Sequence, residues 1–459
     1  MTPAQIKSLG RLQKRLSAGE IILEPRKLTA YAGDKWFAAH QPDAVALPRS
    51  TKSVADILRF ANKNKIPVTA RGGGYGYVGG CVPMHGGIVL SLERMNRMLE
   101  INPADFVAVL QPGVNTQQFQ KAAEKLGLFY PPDPASRAHN FIGGNIATNA
   151  GGPRCLKYGV TRDYVLGLEV VLADGTIVHV GGRTHKNKTG FDFTRLFVGS
   201  EGLLGVVTEA TVKLIPLPPF RATLAVGFRS MKNAVGALQS ILAAGSLPSA
   251  LELADQFTLA AAAKHTGSTR LGVCKAHLIV EIDGRKNSVR GELPAIERVI
   301  RKHRPLFVER GFGDAECEKI WQVRREFSAA LKATGLIKMN EDIVVPRGKL
   351  EALFAFAATL QKKFGLPIAC FGHAGDGNIH VNIMVDYSKP RAKQRSESAL
   401  DELFRWVLAV GGAITGEHGI GLAKKRWWPL AVSPEVRELH RVVKKTLDPN
   451  GILNPGKFV

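Results

Sequence analysis

One twelve-residue stretch does most to limit what this chain can become: F-G-H-A-G-D-G-N-I-H-V-N, over 371–382. Asp376-Gly377 signals a hairpin, because a two-residue type I′ turn needs positive φ at both central positions. If those two residues form the loop, pairing outward matches Gly375 with Asn378, Ala374 with Ile379 and His373 with His380. The two imidazoles then stand opposite each other on one face, with Cβ atoms about 5 Å apart, a chelating distance. Asn382, two residues past His380, points to the same face. A lone strand histidine is ordinarily structural; two in register across a turn read as a site.

A third group lies downstream in T-G-E-H-G-I-G, where Glu417 and His418 stand among Gly416, Gly419 and Gly421. Glycines on both sides let backbone approach a ligand closely. Two histidines and a carboxylate leave coordination positions open, as catalytic metal sites require, and zinc, manganese and iron all suit such ligands. His418 is left over as a base.

Two other segments are dense in glycine. The first, R-G-G-G-Y-G-Y-V-G-G over 71–80, holds a formal G-x-G-x-x-G at Gly74, Gly76 and Gly79. A dinucleotide fingerprint must open directly into a helix, and here Cys81-Val82-Pro83 and a strand follow instead. Six glycines in ten residues still fit a backbone cradle for a pyrophosphate better than a plain flexible loop. The second segment, P-P-D-P-A-S-R-A-H-N-F-I-G-G-N-I-A-T-N-A-G-G over 131–152, has a rigid proline entry and small residues suited to a planar or phosphorylated ligand.

Periodicity supplies the frame. Val54, Ile57, Leu58 and Ala61 recur at helical spacing, and strands are expected over 66–70, 87–92, 106–111, 165–172 and 176–180, with a helix over 116–126. Pro216-Leu217-Pro218-Pro219 marks a boundary. Beyond it come strand 222–228, helix 232–244, strand 277–283, helix 289–303, strand 337–345, helix 350–364 and the histidine hairpin over 367–385. That alternation with antiparallel pairing predicts an α+β layer with helices on one face. The domains expected are 1–218, 219–420 and a returning segment 421–459. At 459 residues, two or three domains are needed. The opening M-T-P-A-Q-I-K-S-L-G-R-L-Q-K-R-L is an amphipathic helix candidate without a signal-peptide apolar core.

Charge excludes little. A net +23 from 62 basic and 39 acidic residues fits nucleic acid, an anionic membrane surface or acidic small molecules. The basic residues are scattered, however, and no nucleic-acid-binding motif accompanies them, so no nucleic-acid partner is expected. Cys81, Cys155, Cys274, Cys317 and Cys370 make no C-x-x-C pair and fit a reduced, cytoplasmic setting.

Taken in order, R-G-G-G-x-G-x-x-G-G, P-P-D-P-x-S, I-G-G-N-I-A-T-N-A-G-G, L-F-V-G-S-E-G-x-L-G, G-H-x-G-D-G-N-I-H and E-H-G-I-G resemble the FAD-linked D-2-hydroxyacid dehydrogenases. That group includes D-lactate dehydrogenases, the flavin subunit of glycolate oxidase and D-2-hydroxyglutarate dehydrogenase, within the vanillyl-alcohol oxidase superfamily. The resemblance covers about 48–457 and implies a two-part FAD-binding domain with a ferredoxin-like α+β cap.

It further implies that Arg71, Gly72, Gly73, Gly74, Tyr75 and Gly76 cradle the FAD pyrophosphate. Pro132, Ser136, Gly143, Gly144, Asn145, Thr148, Asn149 and Gly151 would pack along the cofactor, with Glu201, Gly202, Gly205 and Val207 on its adenosine side. His373, His380 and Glu417 would hold one divalent metal, His418 would be the base, and Asn382 would touch substrate. W-Q-V-R-R-E places Arg324 at the substrate carboxylate, the alternative being a solvated helix face. Tyr75 replaces a threonine common in relatives, and the role of a substrate-binding lysine does not transfer to Lys338. His85 and His139 are the only histidines near the flavin segments, and noncovalent FAD is expected.

The implied reaction is oxidation of a D-2-hydroxy acid to the 2-oxo acid, with metal-assisted proton abstraction and hydride transfer to flavin N5. The alternative is a flavin oxidase or reductase acting on another alcohol. The electron acceptor would be a quinone, a cytochrome or an electron-transfer protein. Peripheral contact with the inner membrane and a homodimer stay open.

Overall fold

The computed structural model describes residues 1–14 and 16–459; Arg15, within the expected leading helix, lies outside the described residues. The chain divides into two compact units, one of residues 1–151, 160–217 and 417–459, the other of residues 152–159 and 218–416. Against the expected boundaries, the second unit ends at Gly416 rather than at 420 and also takes residues 152–159. There Lys157 Nζ and the Tyr158 hydroxyl donate to Asp283 Oδ1 at 2.5 and 2.9 Å, an anchor that periodicity does not reveal.

In the first unit, β1 (Ile21–Ile22), β2 (Ala44–Ala46), β3 (Val68–Arg71) and β4 (Ile88–Ser91) form a sheet in the order β1-β2-β4-β3, with β4 parallel to both its neighbours. The helix Thr51–Lys63 supplies the crossover. Ser50 caps it by accepting from Ser53 N, and Val54, Ile57, Leu58 and Ala61 are buried in the core.

Seven strands follow in this unit: β5 (Met98–Asn102), β6 (Val107–Leu110), β7 (Leu128–Phe129), β8 (Val165–Val171), β9 (Ile177–Gly181), β10 (Val206–Lys213) and β11 (Ile215–Pro216). They give a five-stranded antiparallel sheet, β5-β6-β10-β8-β9, and a small ribbon of β11 with β7. Along β10 buried and half-buried residues alternate, the mark of a strand with one face on the core.

The second unit is built on one seven-stranded sheet. Its strands are β12 (Phe220–Phe228), β13 (Ala250–Asp255), β14 (Ala276–Gly284), β15 (Phe307–Phe312), β16 (Ile337–Val344), β17 (Ile368–His373) and β18 (Asn378–Val385), ordered β15-β12-β14-β13-β17-β18-β16. All neighbours are antiparallel. The first four strands repeat the β-α-β-β-α-β winding of a ferredoxin-like unit. The last three follow the same path, and a bridge from Val344 to Ala413 stands where a fourth strand would pair. The two halves join along β13 and β17, over three residue pairs.

Helices cover both faces of this sheet, not one. The crossover helices Met231–Ala243, Lys286–Arg301, Leu350–Phe364 and Ala392–Ala409 pack on one side; Gln256–Thr266 and Asp314–Lys332 lie over the other. The second pair follows from two stretches in which periodicity gave no element. No helix among the described residues is long and apolar enough to cross a membrane.

His277 on β14 gives this unit a pH dependence. Burial pushes its imidazole from the ordinary 6.5 down to about 4, so it stays neutral when folded. An unfolded chain takes up that proton first, so the contribution is full above pH 6.5 and is lost as pH falls toward 4. The gap corresponds to ~3 kcal/mol at 1.36 kcal/mol per pH unit. Urea unfolding of the native protein and of His277→Leu between pH 7 and 4.5 is expected to show a steep loss only in the native protein. Equal slopes would refute the assignment.

Candidate functional site

The histidine hairpin forms, with a register different from the expected one. His373 pairs with Asn378, Gly372 with Ile379 and Phe371 with His380, which leaves a four-residue loop, 374–377. Only Gly377 in that loop has positive φ, +88°, whereas a type I′ turn needs two such residues. A side chain at 377 would also stand 2.1 Å from Val345 O, which fixes glycine there. The slip is two residues, and the side-chain period of a strand is two, so both histidines keep the same face. They become diagonal neighbours, with ring centroids 5.5 Å apart and planes near perpendicular.

The face around them is built from two more strands and a helix. Glu252 on β13 pairs with His373 across the join between the half-sheets, and its Oε1 lies 2.5 Å from His373 Nδ1. Its Oε2 accepts from Arg324 Nε at 2.6 Å. Glu252 is 2 % exposed. Burial alone would raise its pKa, but His373 and Arg324 outweigh that and hold the carboxyl down at about 2. The carboxylate accepts the Nδ1 proton of His373, the arrangement found behind the ligating histidine of carboxylate–histidine–metal sites.

Arg324 is therefore no solvated helix residue. It lies over the Phe371 ring at 4.7 Å, on the helix Asp314–Lys332. One turn on, Ser328 accepts from Lys338 Nζ at 3.0 Å, and burial pushes that lysine down to about 8. Asp342 pairs with His380 and accepts from Thr415 Oγ1 and from Gly416 N, the latter at 2.9 Å. Asn382 is fully buried, its amide donating to Ala369 O and His380 O. What it offers a ligand is the acceptor Oδ1, which has no hydrogen-bond partner among the described residues.

Glu252 and Asp342 were not singled out as site residues from the sequence. The available signal was a carboxylate inside an otherwise apolar run, A-L-E-L-A-D, which no partner-free burial would tolerate.

The glycine segments come together in the first unit. A side chain at Gly72 would sit 3.3 Å from the Cα and N of Gly144, while the space beside Gly144 itself is open. The two bare backbones thus pack on each other with open space beside Gly144, which fits a ligand that takes main-chain N–H groups. The Arg71 guanidinium is not directed at such a ligand. It donates to Gly33 O at 2.5 Å and to Cys81 Sγ at 3.2 Å, and it occupies the place a side chain at Gly74 would need.

Several other expected cofactor residues are engaged by the protein. Asn145 donates to Thr116 Oγ1, Ser136 Oγ accepts from Asn140, Thr148 Oγ1 donates to Gly144 O, and Asn149 Oδ1 accepts from Arg162 N. Gln120 donates to Pro132 O. Gly205 packs where a side chain would strike Val170 and Phe197, Val207 pairs with Val170, and Gly202 sits beside Ala70. Tyr75 stacks on His139 at 4.9 Å. Glu201, expected on the adenosine side, spends both carboxylate oxygens on the amides of Ile420 and Gly421. The His418 ring lies 5.2 Å from that of Tyr77.

Residues 42–181 match the family described as FAD binding domain, and 217–458 match FAD linked oxidases, C-terminal domain. The chain is 40 % identical to glycolate oxidase subunit GlcD of Bacillus subtilis (strain 168), over 91 % of this chain and 89 % of that protein. It is 32 % identical to D-lactate dehydrogenase of Anaerostipes hadrus, over 100 % of this chain and 98 % of that one. Its fold is similar to that of p-cresol methylhydroxylase with substrate bound, with a TM-score of 0.81 at 19 % identity, over 100 % of this chain and 97 % of that one.

Proposed function

The chain belongs to the FAD-linked oxidases, within the group of D-lactate, glycolate and 2-hydroxyglutarate dehydrogenases, and from that premise we propose that it oxidises a D-2-hydroxy acid to the 2-oxo acid. The observation that carries this is the buried face where His373 and His380 stand side by side and one carboxylate, Glu252, holds both His373 and Arg324. A cation beside the histidine pair suits a substrate that carries its own carboxylate.

Gly72–Gly74 and Gly143–Gly144 would hold FAD without a covalent link, and the flavin would supply the two-electron acceptor for the α-hydrogen. One divalent ion, of zinc, manganese or iron, would supply Lewis-acid polarisation of the substrate hydroxyl. His373 and His380 offer two of its ligands, and the Nδ1 bond to Glu252 suits His373 to that task. Glu417 is the proposed third. It directly follows Gly416, whose amide is bound to Asp342 and which abuts Asn378, the partner of His373, so its Cα lies about 3.8 Å from that of Gly416.

Arg324 binds the substrate carboxylate, and Asn382 touches the substrate through its Oδ1. His418 takes the hydroxyl proton. Electrons leave to a quinone, a cytochrome or an electron-transfer protein, and the net +23 favours an acidic partner or an anionic surface.

Anaerobic flavin bleaching by D- and L-lactate, D-2-hydroxyglutarate and glycolate tests the reading. Bleaching by D-acids or glycolate is expected, and a preference for L-enantiomers would overturn it.

A further inference from the structure

We infer that Glu201 is a positioning residue: it holds the 417–421 loop so that His418 is set for proton transfer, an inference that rests on His418 being the base. Ile420 N donates to Glu201 Oε1 at 2.7 Å and Gly421 N donates to Oε2 at 2.8 Å. One buried carboxylate thus takes two consecutive amides, a charge-assisted and directional grip. The fit is close. Gly419 has φ +85°, and a side chain there would stand 2.7 Å from Glu201 Oε1.

The grip is itself held in a costly conformation. Glu201 is a non-glycine residue with φ +50°, fixed by its own amide donating to Ala147 O at 2.8 Å and by Asn454 Nδ2 donating to its carbonyl at 2.7 Å. Asn454 is left-handed too, at φ +46°. Such strain at a buried acid points to a task beyond packing.

Burial raises the Glu201 pKa, and the amides of Ile420 and Gly421 together with the buried Lys424 and Lys457 oppose that shift, so the carboxyl's surroundings on this side are all donors or cations. Beyond the gripped amides, Leu422 N and Ala423 N both donate to Val78 O, at 2.7 and 3.1 Å. His418 therefore sits two residues ahead of a doubly anchored stretch, beside Tyr77.

The test compares flavin reduction in single turnover for the native holoenzyme, Glu201→Gln, Gly419→Ala, His418→Ala and the double variant Glu201→Gln/His418→Ala. It uses the acid that bleaches the flavin fastest, with amide exchange of the 417–423 peptide read alongside. Glu201→Gln should slow reduction about 10- to 100-fold, deprotect the amides of Ile420 and Gly421, and leave substrate affinity within about three-fold. In the His418→Ala background the same change should add less than about three-fold, because the effect runs through one residue.

A full additional loss in that background would overturn the inference, as would native-rate reduction with the amides deprotected. Native-rate reduction by His418→Ala alone would instead remove the base. If Glu201→Gln fails to fold with its lysines uncompensated, Gly419→Ala carries the test, since it displaces the loop and keeps the carboxylate.

Discussion

His418→Ala is expected to slow flavin reduction by about 10²- to 10⁴-fold, the usual cost of removing a positioned base. FAD content should be unchanged, because no expected cofactor contact involves this side chain. Substrate binding should weaken far less than turnover, since Arg324 and its neighbours still hold the carboxylate. The separation matters: an effect on binding alone would mark His418 as a contact, not a base. The native protein and the variant are compared in anaerobic stopped flow, with acid-released flavin quantified in both. Near-native reduction by the variant would take His418 out of the reaction.

The second large effect concerns the histidine pair. His380→Ala should remove the divalent ion, from about one per chain to none by elemental analysis, and turnover should fall with it. Glu252→Gln is the more revealing variant. It leaves both imidazoles in place but weakens the acceptor for His373 Nδ1, and metal affinity should drop about 10- to 100-fold as for other carboxylates behind a ligating histidine. Arg324 loses its ion pair in the same variant, so substrate affinity should fall as well. Metal retained at full occupancy in His380→Ala, or full turnover after exhaustive chelation, would defeat the assignment.

How far these residues could be read in advance depended on locality. The helix over 350–364 and the amphipathic Thr51–Lys63 were legible because periodicity is a property of neighbouring residues. The hairpin was legible as a hairpin, and its face survived a wrong register because a two-residue slip keeps strand parity. What stayed hidden came from pairing across long separations. Glu252 reaches His373 only because β13 and β17 are neighbours in space, and residues 152–159 join the second unit through Asp283. The protein partners of the Arg71 and Glu201 side chains stayed hidden for a related reason. A motif says which residues a ligand site contains, not which of them face the ligand and which hold the others.

The join between the half-sheets has a further consequence. Its three residue pairs compare with six to nine at the other β12–β18 rungs, and Glu252–His373 is one of the three. Opening of the sheet is cheapest where the ladder is shortest. Because Glu252 orients the His373 ring across this join, a ligand on Nε2 of His373 would bind better to the closed ladder and would raise its melting temperature by mass action. Melting curves with and without added divalent ion would then read ligand binding and the closure of the sheet together.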